Sequence, residues 1–486
     1  MLAQGIRLPV TLLDSGKSIT DDWEVEKLMK LFEKVLTEIP DYKAFLTVDE
    51  LDESSRQLAE KHPGLVQLKE IGRSRAGKPI LMLRIGRGSK KALLFGCPHP
   101  NEPIGAMMLE YFAGRLAEDD ELREYFDFTW YIIKCIDPDG ARLNEGWFKG
   151  PFTIENYAMN FFRPASHQQV EWTFPIQYKK LNFNNPIPET LALMAAIDES
   201  KPDFLFSLHN AGFGGVYWYM SDPKPELYDG FHRLAEQHQL PLSLGEPEMP
   251  YARAFAPAIY KMPSTIDTYD YYEKFTDKDP ASIITAGTSS LDYAKKVSPG
   301  VFTLVCEVPY FYDPRIDDVS PSDVTRRDAI LKTCERDQEL YSWALSVFDA
   351  VKILLTADSP FKTTVENFLT TGIKSLEAKR RWAESSIPDS KVATVAEEFD
   401  NFQVSRFYKL LILGVFRRML LFQMEVSGKQ PQLEKALAEI ESKMRLWVDE
   451  LNKELNYQAI PIRKLIAIQL GSALLSAEQI QRGKTK

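Results

Sequence analysis

The sequence predicts an α/β fold, in which a mixed β-sheet lies between layers of helices and is followed by an α-helical domain. Between about residues 45 and 345, short apolar runs alternate with segments of helical periodicity, which is typical of strands interleaved with helices. After residue 345 the chain is almost wholly helix-like, with charged faces and few turn residues. The 486 residues include 44% hydrophobic and 26% charged side chains, which excludes a disordered polymer or a fibrous repeat.

We predict three regions: a partly helical N-terminal extension at 1–44, a sheet-containing domain at 45–345 and a helical domain at 346–486. Apolar residues at helical spacing predict helices at 23–39, 48–62 and 189–200, and another helix that begins after Pro103. Apolar runs predict strands at 65–71, 80–85, 91–96, 128–136, 204–208 and 301–305. Later helices are predicted at 343–355, 364–384, 396–423 and 432–455.

The segment 137–188 is rich in Asn, Pro, Gly and aromatic residues and has little periodicity. It therefore predicts long loops rather than packed elements, and loops of this length are often functional. In an α/β sheet, catalytic side chains are expected where strands end and such loops begin.

Charge and targeting signals limit the possible partners and location. Lys and Arg number 59 against 69 Asp and Glu, a net charge of −10, which argues against nucleic acid as the main partner. Residues 1–13 lack the features of a secretory signal, and four cysteines without a CxxC pair do not form a disulfide framework, so we expect a cytoplasmic protein. The apolar segment 407–424 is interrupted by Arg417 and Arg418, so we expect a packing helix and no membrane partner.

Two polar residues follow the predicted strand at 91–96. His99 and Glu102 lie three residues apart, immediately before the helix that begins after Pro103. In such a strand-to-helix turn both side chains can reach one cation, the histidine through a neutral nitrogen and the glutamate through an oxygen. Alone this spacing is common, so it needs a third ligand to predict a zinc site.

Two further strand ends supply the missing groups. His209 follows the strand at 204–208 and precedes a glycine-rich turn, which favours a ligand over a hydrogen-bonded core histidine. Glu307 ends the apolar strand that begins at Val301, where a buried carboxylate is costly unless it is paired, bound to metal or catalytic. A His2Glu zinc site with Glu307 as the base for its water is therefore predicted.

Several ordered motifs between residues 45 and 311 resemble those of the zinc carboxypeptidases of the pancreatic carboxypeptidase A type. They are, in order, the Gly-Arg-Ser and Gly-Lys-Pro-Ile within 72–80, HPNE at 99–102, DPDG at 137–140 where the family usually has NPDG, SLHN at 207–210 and SLDY at 290–293. The resemblance implies the carboxypeptidase-like fold, with a mixed sheet sandwiched by helices. It also implies a hydrolase that cleaves the C-terminal amide bond of a peptide or peptide-like metabolite through a metal-activated water.

The resemblance also implies roles for individual residues. One Zn²⁺ per chain would be held by His99, Glu102 and His209, with Glu307 as general base and then proton donor to the leaving amine. Arg142, in the loop after DPDG, is the candidate that stabilises the oxyanion.

Substrate recognition departs from the family pattern. The family binds the substrate carboxylate through adjacent Asn and Arg, whereas here Asn160 and Arg163 are separated by two phenylalanines. Arg163 can still supply the bidentate fork that carboxylates prefer, unless substrate recognition has changed. His167 is a candidate substrate contact, with simple solvent exposure as the alternative, and Leu291 is expected to line an apolar side-chain pocket.

Two other functions remain open from the sequence. HPNEPIG also resembles HGNEP-x-G of the succinylglutamate desuccinylase and aspartoacylase branch, which implies an N-acyl amino acid deacylase. A catalytically inactive zinc-binding scaffold is the third possibility. If the protein is a carboxypeptidase, its partner is a peptide or small peptide-like substrate with a free carboxylate. The helical domain is a candidate surface for homo-oligomers.

Overall fold

The computed structural model describes residues 20–483, with side chains described from residue 28 onward. The prediction about a secretory signal at 1–13 lies outside these residues. The helix predicted at 23–39 is observed at Thr20–Thr37, and its buried residues pack against the main core.

A nine-stranded mixed sheet is the centre of the fold, as the sequence predicts. Its strand order is β1-β2-β4-β3-β7-β11-β8-β10-β9. The pairs β4–β3, β3–β7, β7–β11 and β8–β10 are parallel, and the pairs β1–β2, β2–β4, β11–β8 and β10–β9 are antiparallel. The strands of the structure are β1 (Val66–Arg73), β2 (Pro79–Ile85), β3 (Lys90–Phe95), β4 (Phe128–Ile133), β5 (Ile176–Tyr178), β6 (Leu181–Phe183), β7 (Phe204–His209), β8 (Tyr217–Met220), β9 (Ala254–Ala256), β10 (Ile259–Lys261), β11 (Phe302–Glu307), β12 (Phe311–Tyr312), β13 (Pro321–Thr325), β14 (Val392–Thr394) and β15 (Gln458–Ala459).

Helices cover both faces of this sheet. They are α1 (Thr20–Thr37), α2 (Val48–Lys61), α3 (Ile104–Glu118), α4 (Asp120–Tyr125), α5 (Pro138–Arg142), α6 (Glu145–Phe148), α7 (Ile154–Asn160), α8 (Pro188–Ser200), α9 (Pro225–Gln237), α10 (Thr265–Phe275), α11 (Ser290–Val297), α12 (Arg326–Val351), α13 (Pro360–Ser386), α14 (Val395–Phe399), α15 (Ser405–Ser427), α16 (Pro431–Glu454) and α17 (Ile462–Arg482). Within residues 20–483, none of these helices combines the length and the apolar character that crossing a membrane requires.

The two faces of the sheet belong to different hydrophobic clusters because side chains alternate along each strand. Leu208 and Cys306 point toward the face covered by α3, α9 and α17. Leu205 and Val305 point toward the opposite face, which α8 and α11 cover. His209 and Glu307 continue the second set, so they emerge on the face of α8 and α11.

The region at 137–188 is more structured than the loops predicted from its composition. It forms three short helices, α5 to α7, two 3₁₀ turns and the β5–β6 hairpin. The chain supplies local caps that periodicity does not reveal, since the side chains of Asp137 and Thr153 accept hydrogen bonds at the starts of α5 and α7.

The helices that follow the sheet contact the earlier part of the chain, and the predicted boundary at residue 346 falls within a helix. α12 runs continuously through that position, and α15 lies so close to α7 that a Cβ at Gly414 would overlap the carbonyl oxygen of Ala158. Arg418 of α15 donates hydrogen bonds to the carbonyl oxygens of Asn160 and Phe161, at 2.7 and 3.1 Å. The helical region is therefore fastened to the segment that follows α7.

α17 was not predicted, and it packs directly under the central strands. The amide of Gln469 donates to the carbonyl oxygen of His209 at 2.8 Å and to that of Cys306 at 3.4 Å. Ser472 accepts a hydrogen bond from the buried indole of Trp218 at 3.0 Å. Residues 465–478 of α17 are buried on every side of the helix, including the polar Gln469, Ser472 and Glu478. The sequence pattern alone does not reveal that polar residues of this helix are buried against the sheet.

The buried Asp137 carboxyl, which accepts a hydrogen bond from the backbone N–H of Gly140, makes stability depend on pH. Burial raises the pKa of Asp137 to about 7, although Arg75 opposes the shift. The folded protein therefore holds this proton at pH values where the unfolded chain has lost it, and the free energy of unfolding falls as the pH rises from about 4 to 7. Asp137→Asn keeps the acceptor but cannot ionise, so its stability relative to the parent should increase over that range.

Urea unfolding of both proteins between pH 4.5 and 8.5 measures this difference. Asp323→Asn, at an exposed position, is the matched control and should show none. Parallel stability curves for parent and Asp137→Asn would contradict the assignment.

Candidate functional site

Two buried parallel strands bring a histidine and a glutamate together at one edge of the sheet. In the register of β7 and β11, His209 and Glu307 are direct partners and both end their strands. Both strands are apolar and fully buried, so only their last residues are available for chemistry. The Nδ1 atom of His209 lies 3.7 Å from Oε1 of Glu307.

The turn between β3 and α3 places two more ligand-type side chains at the same edge. Its backbone closes with a 3.0 Å hydrogen bond from Glu102 N–H to the His99 carbonyl. α3 and β7 approach each other closely at Gly105, where a Cβ atom would lie only 2.5 Å from Cβ of Leu208. Asn210 Oδ1 accepts a hydrogen bond from Ile104 N–H at 3.1 Å and so ties the residue after His209 to the start of α3.

His99, Glu102 and His209 form a compact group of possible metal ligands. One ligand atom from each lies within 4.8 Å of the others, and all three side chains are buried. Glu102 lies between the two imidazoles, with Oε1 at 3.0 Å from His99 Nδ1 and Oε2 at 3.1 Å from His209 Nδ1. His99 Nε2 is buried without a hydrogen-bond partner among the residues that the structure describes. Two imidazoles and a carboxylate are a donor set that suits zinc, so the residues present fit that ion.

The electrostatics of the group favour a cation. Burial lowers the pKa of His99 to about 4, which keeps its imidazole neutral as a metal ligand must be. Burial also acts to lower the pKa of His209, but contacts with Glu102 and Glu171 and the charge of Glu307 outweigh burial and raise it to about 10. Three carboxylates around one imidazole therefore stabilise positive charge at this point.

The sequence analysis missed Glu171, which lies behind His209. Its Oε1 is 3.6 Å from His209 Nε2, and it accepts hydrogen bonds from the hydroxyl of Ser207 and from the backbone N–H of Ser290, the latter at 3.1 Å. Burial acts to raise the pKa of Glu171, but the contact with His209, together with the hydrogen bonds from Ser207 and Ser290, outweighs burial and holds the pKa below its usual value. Glu171 thus orients the imidazole from the side away from Glu102.

Glu307 is the buried carboxyl that faces this group. Burial is the main reason that its pKa is raised well above the ordinary value, and the positive charge of His209 opposes the shift. A carboxyl with a raised pKa beside a group of possible metal ligands is suited to accept a proton and to return it.

Arg163, and not Arg142, is the arginine beside the predicted metal ligands. Nη1 of Arg163 is 3.5 Å from Oε1 of Glu102, and its Nε is 3.4 Å from Oε1 of Gln169. Arg142 lies outside the cavity described below and forms a bidentate ion pair with Asp49 at 2.7 and 3.0 Å. The structure thus directs the Arg142 side chain from α5 toward α2 and away from the strand ends, and it does not bring Arg142 to the possible metal ligands. The oxyanion role of Arg142 stays a prediction from the sequence.

Of the other predicted substrate-binding residues, one lines the cavity and two do not. Leu291 is buried and is one of the residues that line the cavity. Asn160 and His167 are not among the lining residues. The Asn160 side chain turns back to Asn156, with hydrogen bonds of 3.0 Å to that residue's backbone and side-chain oxygens, so it is not directed at a ligand.

A cavity of about 880 Å³ lies at the sheet edge, and it is lined by the possible metal ligands and by Arg163, Glu171 and Glu307. One wall comes from the sheet and α11, and another comes from the helical region, for which the sequence predicted only a surface for homo-oligomers. The helical wall consists of side chains of α12, α13 and α15 and the π-helical turn 400–404, namely Tyr341, Phe368, Thr371, Ser375, Lys379, Asp400, Val404, Tyr408, Lys409, Leu411 and Ile412. The helical region therefore bounds the space that a substrate can occupy.

Comparison with known proteins shows that this chain is similar to zinc carboxypeptidases. A zinc carboxypeptidase family model matches residues 51–297. Zinc carboxypeptidase A 1 of Anopheles gambiae is 30% identical over 126 residues, 23% of this chain and 29% of the relative. Human carboxypeptidase A6 is 21% identical over 267 residues, 52% of this chain and 58% of the relative. The chain thus spans less than two thirds of the length of these curated relatives.

Among solved structures, carboxypeptidase A from Helicoverpa armigera aligns with a TM-score of 0.37 at 14% identity, covering 74% of this chain and 82% of the other. A metallo-carboxypeptidase from Burkholderia cenocepacia aligns with a TM-score of 0.33 at 18% identity, covering 54% and 60%. The family model spans just over half of the 486 residues and includes His99, Glu102 and His209, whereas Glu307 follows its last matched position. On the extent of that match, the chain belongs to the zinc carboxypeptidase family.

Proposed function

We propose that this protein is a zinc-dependent hydrolase that removes the C-terminal residue of a peptide or peptide-like metabolite with a free carboxylate. The observation that carries the proposal is the position of Glu307, paired in register with His209 and facing the group of possible metal ligands inside a large cavity. The ion-pair contact of this buried acid is with His209, itself one of the possible metal ligands, which favours a catalytic role over a purely structural one.

In this proposal His99, Glu102 and His209 hold one zinc ion per chain. The bound ion would supply a Lewis acid that polarises the scissile carbonyl and lowers the pKa of water. Glu171 keeps the His209 imidazole in position, and the surrounding carboxylates balance the charge of the ion.

Glu307 moves the proton of the reaction. Its carboxylate accepts a proton from the attacking water and then donates it to the nitrogen of the leaving amine as the amide bond breaks. The cycle returns Glu307 to its starting state, so the net reaction consumes one water for each amide bond cleaved.

Arg163 anchors the carboxylate of the substrate. Its guanidinium borders the ligand group and offers the planar fork that binds carboxylates in a bidentate manner. The four cysteines, all buried and none in a disulfide, support the further proposal of a reducing, cytoplasmic location.

A panel of peptides tests this function. We expect the zinc-loaded protein to release single residues from free-carboxyl peptides and to leave their C-terminally amidated forms intact. Arg163→Gln should raise the KM for free-carboxyl peptides by about 10- to 100-fold, because a charged hydrogen-bond partner is lost. Mass-spectrometric kinetics measure both quantities.

Arg142→Gln is the matched control, since it removes an arginine that lies outside the cavity, and its KM should equal that of the parent. An equal fall in kcat on all substrates after Arg163→Gln would assign Arg163 to the oxyanion instead of the carboxylate. Cleavage of N-acyl amino acids alone would replace the proposal with the deacylase, and inactivity on the whole panel would favour the scaffold.

A further inference from the structure

Arg418 of α15 is a half-buried cation that lies at the end of α7. Among the residues whose side chains the structure describes, no carboxylate oxygen lies within 4.0 Å of its nitrogens, whereas the adjacent Arg417 pairs with Glu441 of α16 at 2.8 Å. The guanidinium lies over the ring of Phe361, 4.6 Å from the ring centre. Burial, together with the charge of Arg417, lowers the pKa of Arg418 to about 10, so the group is still charged at neutral pH. Since burial of a cation costs free energy, other groups must compensate this charge.

The carbonyl groups at the end of α7 supply the compensation. Nη1 of Arg418 donates to the carbonyl oxygen of Asn160 at 2.7 Å and to that of Phe161 at 3.1 Å. The last carbonyl groups of a helix have no partner within the helix, and the helix dipole gives them a partial negative charge. Asn160 is the last residue of α7, and Phe161 follows it. Arg418 therefore fixes the point at which the chain leaves α7.

Asn144 holds the next residue along the chain. Its side-chain oxygen accepts a hydrogen bond from the Phe162 N–H at 3.0 Å, and its side-chain nitrogen donates to the Phe162 carbonyl oxygen at 2.8 Å. The Phe162 ring also packs edge-on against Phe361, with the ring centres 5.4 Å apart. Because Phe361 belongs to α13, the helical region fastens this residue as well as the end of α7.

Arg163 directly follows the fastened segment. On its other side, Gln169 accepts a hydrogen bond from Nε of Arg163 at 3.4 Å and donates one to the carbonyl oxygen of Pro164 at 2.7 Å. The Arg163 side chain is 30% exposed, so packing alone does not hold it beside Glu102. The place of its guanidinium relative to the possible metal ligands therefore depends on the backbone at 160–162.

We propose that Arg418 is a positioning residue for substrate binding, which holds the carbonyl groups of Asn160 and Phe161 and thereby sets the place of Arg163. This inference rests on the proposed function, in which Arg163 binds the carboxylate of the substrate. A guanidinium held in place binds a carboxylate more tightly than a mobile one, because less conformational entropy is lost on binding. Arg418 is not among the residues that line the cavity, so the helical region affects substrate affinity here without touching the substrate.

Kinetics with free-carboxyl peptides test this role. Arg418→Gln should raise KM by about 10-fold and leave kcat close to the parent value, because the anchor loses its place while the metal ligands and Glu307 keep theirs. Arg418→Met keeps the packing over Phe361 and removes only the donor groups, so it should give the same rise and replaces the Gln variant if that variant does not fold. Urea unfolding shows whether each variant is folded. A lower kcat at an unchanged KM would overturn the proposal.

A double variant separates positioning from an independent structural effect. Because Arg418 acts through Arg163, adding Arg418→Gln to Arg163→Gln should not raise KM further, whereas independent effects would multiply. Arg417→Gln is the matched control, since it removes the adjacent arginine, which pairs with Glu441 of α16, and its KM should equal that of the parent. Rises in KM that multiply in the double variant, or an equal rise in Arg417→Gln, would contradict the assignment.

A binding measurement separates this inference from the proposed function. In a Glu307→Gln background, calorimetry should give a Kd for a free-carboxyl peptide about 10- to 100-fold lower than that for its amidated form. Arg418→Gln should reduce this ratio by about 10-fold. Absence of hydrolysis in the parent, with the ratio present and lowered by Arg418→Gln, would refute the reaction but keep the role of Arg418. A ratio that Arg418→Gln leaves unchanged would refute the role of Arg418 alone.

Discussion

Glu307→Gln should lower kcat/KM for peptide hydrolysis by about 10²- to 10⁴-fold, the range associated with loss of a positioned general acid–base group. The amide has nearly the same shape as the carboxyl, so the packing of the end of β11 is preserved. It cannot accept the proton of the attacking water or return a proton to the leaving nitrogen. The loss should therefore appear in kcat, with little change in KM.

Zinc content and unfolding by urea give the controls for this variant, because neither should change by a measurable amount. Glu307 is not one of the three grouped ligands, and its carboxyl is 3.7 Å from the nearest atom of His209. Hydrolysis at the parent rate by a zinc-loaded Glu307→Gln protein would contradict the proposed mechanism. No turnover by the parent would instead favour the scaffold.

Glu102→Gln should weaken zinc binding by more than about 100-fold, because even residues that only support a metal ligand typically contribute 10- to 100-fold. Glu102 is the carboxylate between His99 and His209, so the change removes both a ligand oxygen and the charge that balances the ion. Competition with a chromogenic chelator measures the affinity.

Thermal unfolding supplies an independent measurement of the same loss. A ligand that binds only the folded state raises the Tm with its concentration, so zinc should raise the Tm of the parent and have little effect on Glu102→Gln. Glu118→Gln, at the exposed end of the same helix α3, is the control and should respond to zinc as the parent does. An undiminished affinity in Glu102→Gln would refute the ligand assignment.

The four site residues whose positions follow from local sequence patterns could be predicted. His99 and Glu102 share one turn, and His209 and Glu307 each follow an apolar strand, so local pattern places all four at strand ends. Parallel pairing of β7 with β11 then brings the strand ends together without further information. The central strands β3, β4, β7 and β11 were located for the same reason, since burial on both faces produces continuous apolar runs, whereas β8, β9 and β10 were not predicted.

The parts that depend on distant contacts could not be predicted. Arg142 and Arg163 both follow the DPDG segment. The number of residues between that segment and each arginine does not reveal that Arg142 forms an ion pair with Asp49 of α2. The hold on the end of α7 depends on Arg418, which lies 258 residues after Asn160 in the chain. The helical wall of the cavity depends on how α15 packs against α7, which its amphipathic pattern does not specify.

The hydrogen bonds from Gln469 to the ends of β7 and β11 also affect the order of folding. Gln469 is 260 residues from His209 along the chain, and during synthesis α17 emerges after every strand of the central sheet. Contacts across such separations form slowly because a large loop must close before they stabilise anything. Until α17 docks, the strands that carry His209 and Glu307 expose the apolar side chains that it covers. Completion of the group of side chains at the ends of β7 and β11 is therefore coupled to a late folding step, which must wait until α17 has been synthesised.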